Sequence, residues 1–184
     1  RDVLGSRGLG DVYKRQDLPS LRRRIGVVLQ DGKLFAGDIF SNITICAPWL
    51  TMEGAWEAAE RAGLAEDIRQ MPMGMFTMIS EDGGGISGGQ RQRLLIARAL
   101  ASDPGVLLFD EATSALDNET QGRVVDTLKQ MKCTRLVIAH RLSTIRDCDR
   151  ILYLEQGRIA EQGTYEELLH CNGRFAQMAK RQLL

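Results

Sequence analysis

Neither sign of charge is in excess: 24 Lys and Arg stand against 24 Asp and Glu in a chain of 184 residues. With no net field to draw in nucleic acid or an anionic membrane, any recognition of phosphate has to come from a local site. Cysteine is scarce and scattered. Cys46, Cys133, Cys148 and Cys171 form neither a CxxC pair nor a Cys/His ligand spacing, which argues against zinc and for reduced intracellular thiols that fill core or surface. No apolar run approaches the roughly 18 residues of a membrane span, and the arginine-bearing start lacks the apolar stretch of a signal peptide. The chain can still be the cytoplasmic part of a longer membrane protein. Proline is limited to four residues and 43% of the sequence is apolar, which separates it from a disordered tail and leaves enough for one globular unit. Met71-Pro72-Met73-Gly74-Met75 reads as irregular apolar packing, because thioethers alone suit few metals.

Residues 1–16, with Gly5, Gly8 and Gly10 among charges and no sustained period, read as loop, tail or foreign sequence. From Arg24 the character changes. Ile25 to Leu29 is a short β-rich run that fits a buried strand and places Gln30 at its end. Thr51 can cap a helix running to about Ala62, stopped by Gly63, and a second short helix from Leu64 to Met71 ends at Pro72. Ser87 and Gln90 have capping-box spacing, so Ser87, Gly88 and Gly89 should lie at the N-terminus of a helix through Arg91 to Ala101. Val106 to Phe109 reads as a buried strand, Asn118 to Met131 as a helix capped by Asp117, and Thr134 to Ala139 as another strand. This βαβ alternation predicts a mostly parallel sheet. Ile151 to Leu154 and Arg158 to Ala160 flank Gly157 as a hairpin, Thr164 and Glu167 form a second capping box, and Phe175 to Arg181 can form a terminal helix.

Two segments carry residues suited to phosphate chemistry, yet no GxxxxGK[ST] loop occurs anywhere in the sequence. Ser87-Gly88-Gly89 opening a helix offers backbone donors, a hydroxyl and a favourable dipole end, which can hold phosphate oxygens; an ordinary glycine-rich cap is the competing reading. Four apolar residues deliver Asp110 and Glu111 to a strand end, where one carboxylate can act through Mg²⁺ and the next can orient or deprotonate water. His140 also follows an apolar strand and can reach a phosphate or water from the same sheet edge, although taken singly it fits a structural role better. Gln30 can contact Mg²⁺ or the attacking water through its amide, or simply serve the loop. The convergence of three strand ends matters more than any one residue.

Gln30, Ile86 to Gln90 with Gln92-Arg93, Val106 to Glu111, Ser114-Ala115-Leu116-Asp117 and His140-Arg141-Leu142-Ser143 resemble, in order, the Q-loop, signature motif, Walker B, D-loop and H-loop of ABC transporter ATP-binding domains. The resemblance covers about residues 17–182. Phe35 to Ile43 and the signature run look most like exporters with fused transmembrane domains, and Met71 to Ser80 with Arg91 to Leu100 are similar to peptide or bacteriocin exporters. It implies an α/β fold: a partial P-loop NTPase with a RecA-like parallel sheet, an α-helical subdomain at about residues 50–102, and a C-terminal hairpin and helices. The implied domains are an unmatched segment at 1–16 and an incomplete nucleotide-binding domain at 17–184.

The same resemblance implies site roles. Gln30 would sense Mg²⁺ and the γ-phosphate, Asp110 would help hold Mg²⁺, and Glu111 would be the general base. Ser87, Gly88 and Gly89, with Gln90 beside them, would face the γ-phosphate of ATP held by an opposite subunit, Asp117 would cross the dimer contact, and His140 would contact the γ-phosphate. ATP and Mg²⁺ are the implied cofactors. The implied partners are a second nucleotide-binding domain, head to tail, and the transmembrane domain of the same exporter at the cytoplasmic face of the membrane, with no nucleic acid. Ile86 replaces the more usual leucine of the signature, a conservative change. The departure at the N-terminus is serious: the family places an adenine-stacking aromatic and a Walker A loop upstream of Gln30, and Tyr13-Lys14 is neither. The expectation is a partial coding sequence whose isolated product is inactive. Its alternatives are a non-transport ABC-type ATPase or a catalytically silent interaction domain.

Overall fold

The computed structural model describes residues 17–80, 84–110, 122, 124–128, 131–139 and 142–182. Two compact units divide at Leu136/Val137. The first begins with a short helix α1 (Leu18–Arg23), started by the Asp17 carboxylate accepting from the Ser20 N–H and by a proline in its first turn. Strand β1 (Ile25–Val28) follows and pairs parallel with β4 (Val106–Asp110), with Ile25 opposite Val106 and Val28 opposite Phe109. β5 (Thr134–Ile138) completes the sheet in the order β1-β4-β5. Sequential strands separated by helices produce the expected α/β core with its RecA-like parallel sheet.

Between β1 and β4 lie β2 (Gly37–Asp38), α2 (Ile39–Thr44), α3 (Met52–Arg61), α4 (Ala65–Gln70), a 3₁₀ turn at Gly74–Phe76, β3 (Met78–Ile79) and α5 (Gly88–Leu100). β2 and β3 form an antiparallel pair. Thr51 caps α3 through the Gly54 N–H, and Gly63 takes φ +68 just beyond its end, as the sequence predicts. The helix through Arg91 begins three residues earlier than the apolar pattern shows, because Gly88, Gly89 and Gln90 make its first turn. Sequence reading leaves α1 and α2 without an assignment. No residue of α1 is buried, so it carries no apolar stripe, and α2 buries Asn42 and Thr44 beside Ile39 and Ile43, which masks its period.

α5 is the central support of this unit. It buries Leu94, Ile96, Ala97 and Leu100 and packs on α2, α3 and β1. Its approach to β1 depends on Gly26: a Cβ there would meet the Ala99 carbonyl oxygen and a Leu107 methyl, each at 2.6 Å. Both neighbours belong to packed elements, so Gly26→Ala is expected to cost about 1–3 kcal/mol, the usual penalty for overpacking. Urea denaturation followed by Trp49 and Trp56 fluorescence checks this; a loss below about 0.5 kcal/mol would show that α5 can back away from the sheet without penalty.

The second unit contains α6 (Leu142–Ile145), the hairpin β6 (Ile151–Glu155) and β7 (Arg158–Gly163), α7 (Tyr165–His170) and α8 (Arg174–Gln182). Gln156 and Gly157 both have positive φ, 49° and 73°, so the hairpin closes on the mirror-image turn that matches strand twist. Thr164 and Glu167 make the expected reciprocal cap of α7. Leu142, Ile151, Leu168, Phe175 and Ala179 form the core. Phe175 lies edge-on to Tyr153 and Tyr165, with ring centroids 6.5 and 5.8 Å apart. Among the described residues no helix is long and apolar enough to cross a membrane. The helix expected from Asn118 to Met131 is visible as helical residues 122 and 124–128, and its remainder lies largely outside the described residues.

Candidate functional site

The C-terminal edge of the sheet gathers the first two site residues. Gln30 lies in the turn two residues after β1, and Asp110 is the half-buried last residue of β4. Because β1 and β4 run parallel in the register Val28 to Phe109, both side chains belong to the same end of the sheet, the end where α/β proteins bind ligands. Glu111, Asp117 and His140 lie outside the described residues.

Ser87, Gly88, Gly89 and Gln90 open α5. The Ser87 hydroxyl accepts from the Gln90 N–H at 3.1 Å, and the Gln90 side-chain oxygen accepts from the Ser87 N–H at 2.9 Å. This reciprocal cap uses the amides of Ser87 and Gln90 and leaves those of Gly88 and Gly89 as the open donors of the first turn. A Cβ at Gly88 would meet nothing within 4 Å, so space is available beside those donors. A thirteen-residue helix ending in open N–H groups favours an anion there.

Asp67, which sequence reading does not single out, and Arg91 and Arg93, to which it gives no structural contact, hold this helix start in place. Asp67 of α4 accepts from Gln90 Nε2 at 2.8 Å and from Arg93 Nη2 at 3.1 Å, while Arg93 Nη1 donates to the Gly63 carbonyl at 3.2 Å. Arg91 Nη2 donates to the Gly32 carbonyl at 2.8 Å, tying the first turn of α5 to the turn that carries Gln30. The Arg93–Asp67 pair is largely buried, with side-chain exposures of 14% and 24%, so its geometry is shielded from solvent competition. Only the run of arginines after the signature hinted at these contacts, and their acceptors are 23 to 59 residues distant.

The donor set suits the groups in question. A carboxylate at Asp110 and an amide oxygen at Gln30 are hard oxygen ligands of the kind Mg²⁺ takes, and the Gly88 and Gly89 amides suit a phosphate oxygen. By contrast, a cavity of about 370 Å³ lined by Arg61, Asp103, Pro104, Gly105, Met131, Lys132 and Cys133 lies at the opposite, N-terminal end of β4. Its position away from the strand ends that carry Gln30 and Asp110 separates it from the phosphate chemistry.

Comparison with known proteins agrees with this order of parts. The sequence pattern of the ABC transporter family matches residues 7–114. The chain is 47% identical over 151 residues to the alpha-hemolysin translocation ATP-binding protein HlyB of Escherichia coli O157:H7, covering 81% of this chain and 21% of that protein. It is 46% identical over 167 residues to the leukotoxin translocation ATP-binding protein LktB of Mannheimia haemolytica, covering 89% and 23%. A solved bacterial Atm1-family ABC exporter with ATP bound superposes with a TM-score of 0.86 at 43% identity, covering 90% of this chain and 29% of that one. The chain thus spans about a fifth to a quarter of the length of these toxin-translocating relatives. With the sheet, the capped helix and the ordered motifs, these matches establish that the chain belongs to the ABC transporter family and represents its ATP-binding, Mg²⁺-dependent ATPase domain.

Proposed function

We propose that this chain is the ATP-hydrolysing module of an exporter with fused transmembrane domains, and that the cargo is a peptide or protein. The observation that carries the reading is the capped start of α5, with its open Gly88 and Gly89 amides, tied by Arg91 to the turn that holds Gln30. The toxin-translocation names of the relatives support the cargo class. Bound Mg-ATP supplies the phosphoryl group whose transfer to water drives transport. Around it, Asp110 would hold the metal, Glu111 would accept the proton of the attacking water, and Gln30 and His140 would orient the γ-phosphate end. Ser87, Gly88 and Gly89 stabilise charge on a γ-phosphate presented by a second, head-to-tail nucleotide-binding domain, with Asp117 at that contact.

The membrane partner has a natural seat on the first unit. Phe35, Ile45, Phe76 and Met78 are all about half exposed or more, on segments that pack together around α2 and the 3₁₀ turn. Such an apolar group fits a short helix from a transmembrane domain at the cytoplasmic face. The sequence supplies no lysine-bearing glycine loop to neutralise the β- and γ-phosphates, so the isolated chain is expected to bind Mg-ATP with a Kd weaker than about 1 mM. Calorimetry on the folded 184-residue chain, carrying Glu111→Gln to suppress turnover, tests this. Saturable binding at micromolar ATP would require a phosphate site that this reading does not contain.

A further inference from the structure

The segment after Gln30 is bound to α5 by more than packing. Asn42 is 1% exposed and every hydrogen-bonding direction of its amide is used locally. Its Oδ1 accepts from the Phe35 N–H at 3.0 Å and from Arg98 Nη2 at 2.6 Å, and its Nδ2 donates to the carbonyls of Phe35 at 2.9 Å and Asp38 at 3.0 Å. Arg98 adds a bond from Nε to the Asn42 carbonyl at 2.8 Å and one from Nη1 to the Lys33 carbonyl at 2.9 Å. Its guanidinium also lies over the Phe35 ring, 5.0 Å from the centroid. Arg91, about two helical turns earlier on the same face of α5, holds the Gly32 carbonyl. Burial lowers the pKa of Arg98, an effect opposed by Cys46, and its guanidinium donates to the Lys33 and Asn42 carbonyls.

We infer that Arg91 and Arg98, received by Gly32, Lys33 and Asn42, are positioning residues that make the segment after Gln30 and the signature-bearing start of α5 one mechanical piece. The functional meaning rests on the reading that Gln30 and Ser87 to Gly89 flank the nucleotide. The physical basis is that the planar, five-donor guanidinium of Arg98 fixes both Lys33, in the segment after Gln30, and Asn42, in α2, to a single helix. A displacement of Gln30 by a partner pressing on Phe35 is therefore passed to Ser87, and a ligand fixing Ser87 restrains Gln30.

Amide hydrogen exchange on the full 184-residue chain without nucleotide tests the coupling, separately from calorimetry, which tests the ATP reading itself. Arg98→Ala, Arg98→Lys and Arg91→Ala form the series. Arg98→Ala removes three charge-assisted hydrogen bonds, so it is expected to accelerate exchange by at least about 10-fold in residues 33–43, and several-fold in residues 87–91. Residues 151–163 and 174–182 keep their protection, and Arg98→Lys recovers part of the protection in both affected segments together. Proportional changes in 33–43 and 87–91 across the series support the inference. It is overturned if 33–43 loosens while 87–91 keeps its original rates, or if every segment accelerates equally. Should Arg98→Ala fail to fold, Arg98→Lys and Arg91→Ala are read by the same criterion.

Discussion

Joined downstream of a strand, a GxxxxGK[ST] loop and a helix, the chain is expected to hydrolyse Mg-ATP, and Glu111→Gln in that fusion to lower kcat by about 10²–10⁴. A phosphoryl transfer leaves the β- and γ-phosphate oxygens carrying most of the negative charge, and a lysine with a ring of backbone amides offsets it. This chain brings Asp110 at a strand end and open donors at the head of α5, but no such lysine-bearing loop. Supplying the loop completes the charge balance. Glutamine at position 111 keeps the size and one acceptor oxygen of glutamate, yet it cannot accept the proton of the attacking water. ATP binding in the fusion should therefore survive the substitution while turnover falls. A steady-state assay beside equilibrium ATP binding separates the two. If kcat is unchanged by Glu111→Gln, the general base is elsewhere; if the fusion binds ATP and never turns over, the catalytically silent reading prevails.

Phe175→Ala is expected to destabilise the second unit by about 3–5 kcal/mol, the usual cost of emptying an aromatic core position. Phe175 is 1% exposed, lies edge-on to both Tyr153 and Tyr165, and joins α8 to the β6–β7 hairpin and α7. Its ring is the largest side chain of that small core, so few neighbours can collapse into the space it leaves. Near-ultraviolet circular dichroism of the tyrosines, followed through a urea titration, reads the effect. Hydrogen exchange should localise it to residues 142–182. A loss of less than about 1 kcal/mol would show that this cluster is not what holds the unit together.

Much of the fold was legible because its signals are local. A serine three residues before a glutamine gives a capping box from spacing alone, and Ser87 with Gln90 forms one; Thr164 with Glu167 repeats it. The apolar run from Ile25 becomes β1, and the turn glycine at 157 closes the hairpin. The elements missed were those whose local signal conflicts with their environment. α2 turns the polar Asn42 and Thr44 inward, against the binary pattern, because Asn42 serves as a hydrogen-bonding hub for the loop before it. α1 carries the Asp17 cap and an early proline but buries no side chain, so no periodicity announces it.

For the candidate site the division is similar. Residue types and order along the chain were enough to single out Gln30, Ser87 to Gln90 and Asp110 as candidates for phosphate chemistry, since each needs only a strand end or a helix start to be placed. Which groups hold them was decided by tertiary structure. Asp67 beneath Gln90, Gly32 at the tip of Arg91, and Asn42 under Arg98 are brought together from 23 to 59 residues apart by the packing of α2, α3 and β1 around α5, with α4 carried on α3. Hydrogen-bond geometry between remote backbone carbonyls and a guanidinium leaves no period and no spacing in the sequence. The sequence alone therefore singled out the residue types suited to phosphate chemistry, while the packed helix α5 decided that the turn carrying Gln30 is tied to the helix start at Ser87, because only folding brings Arg91 within 2.8 Å of the Gly32 carbonyl.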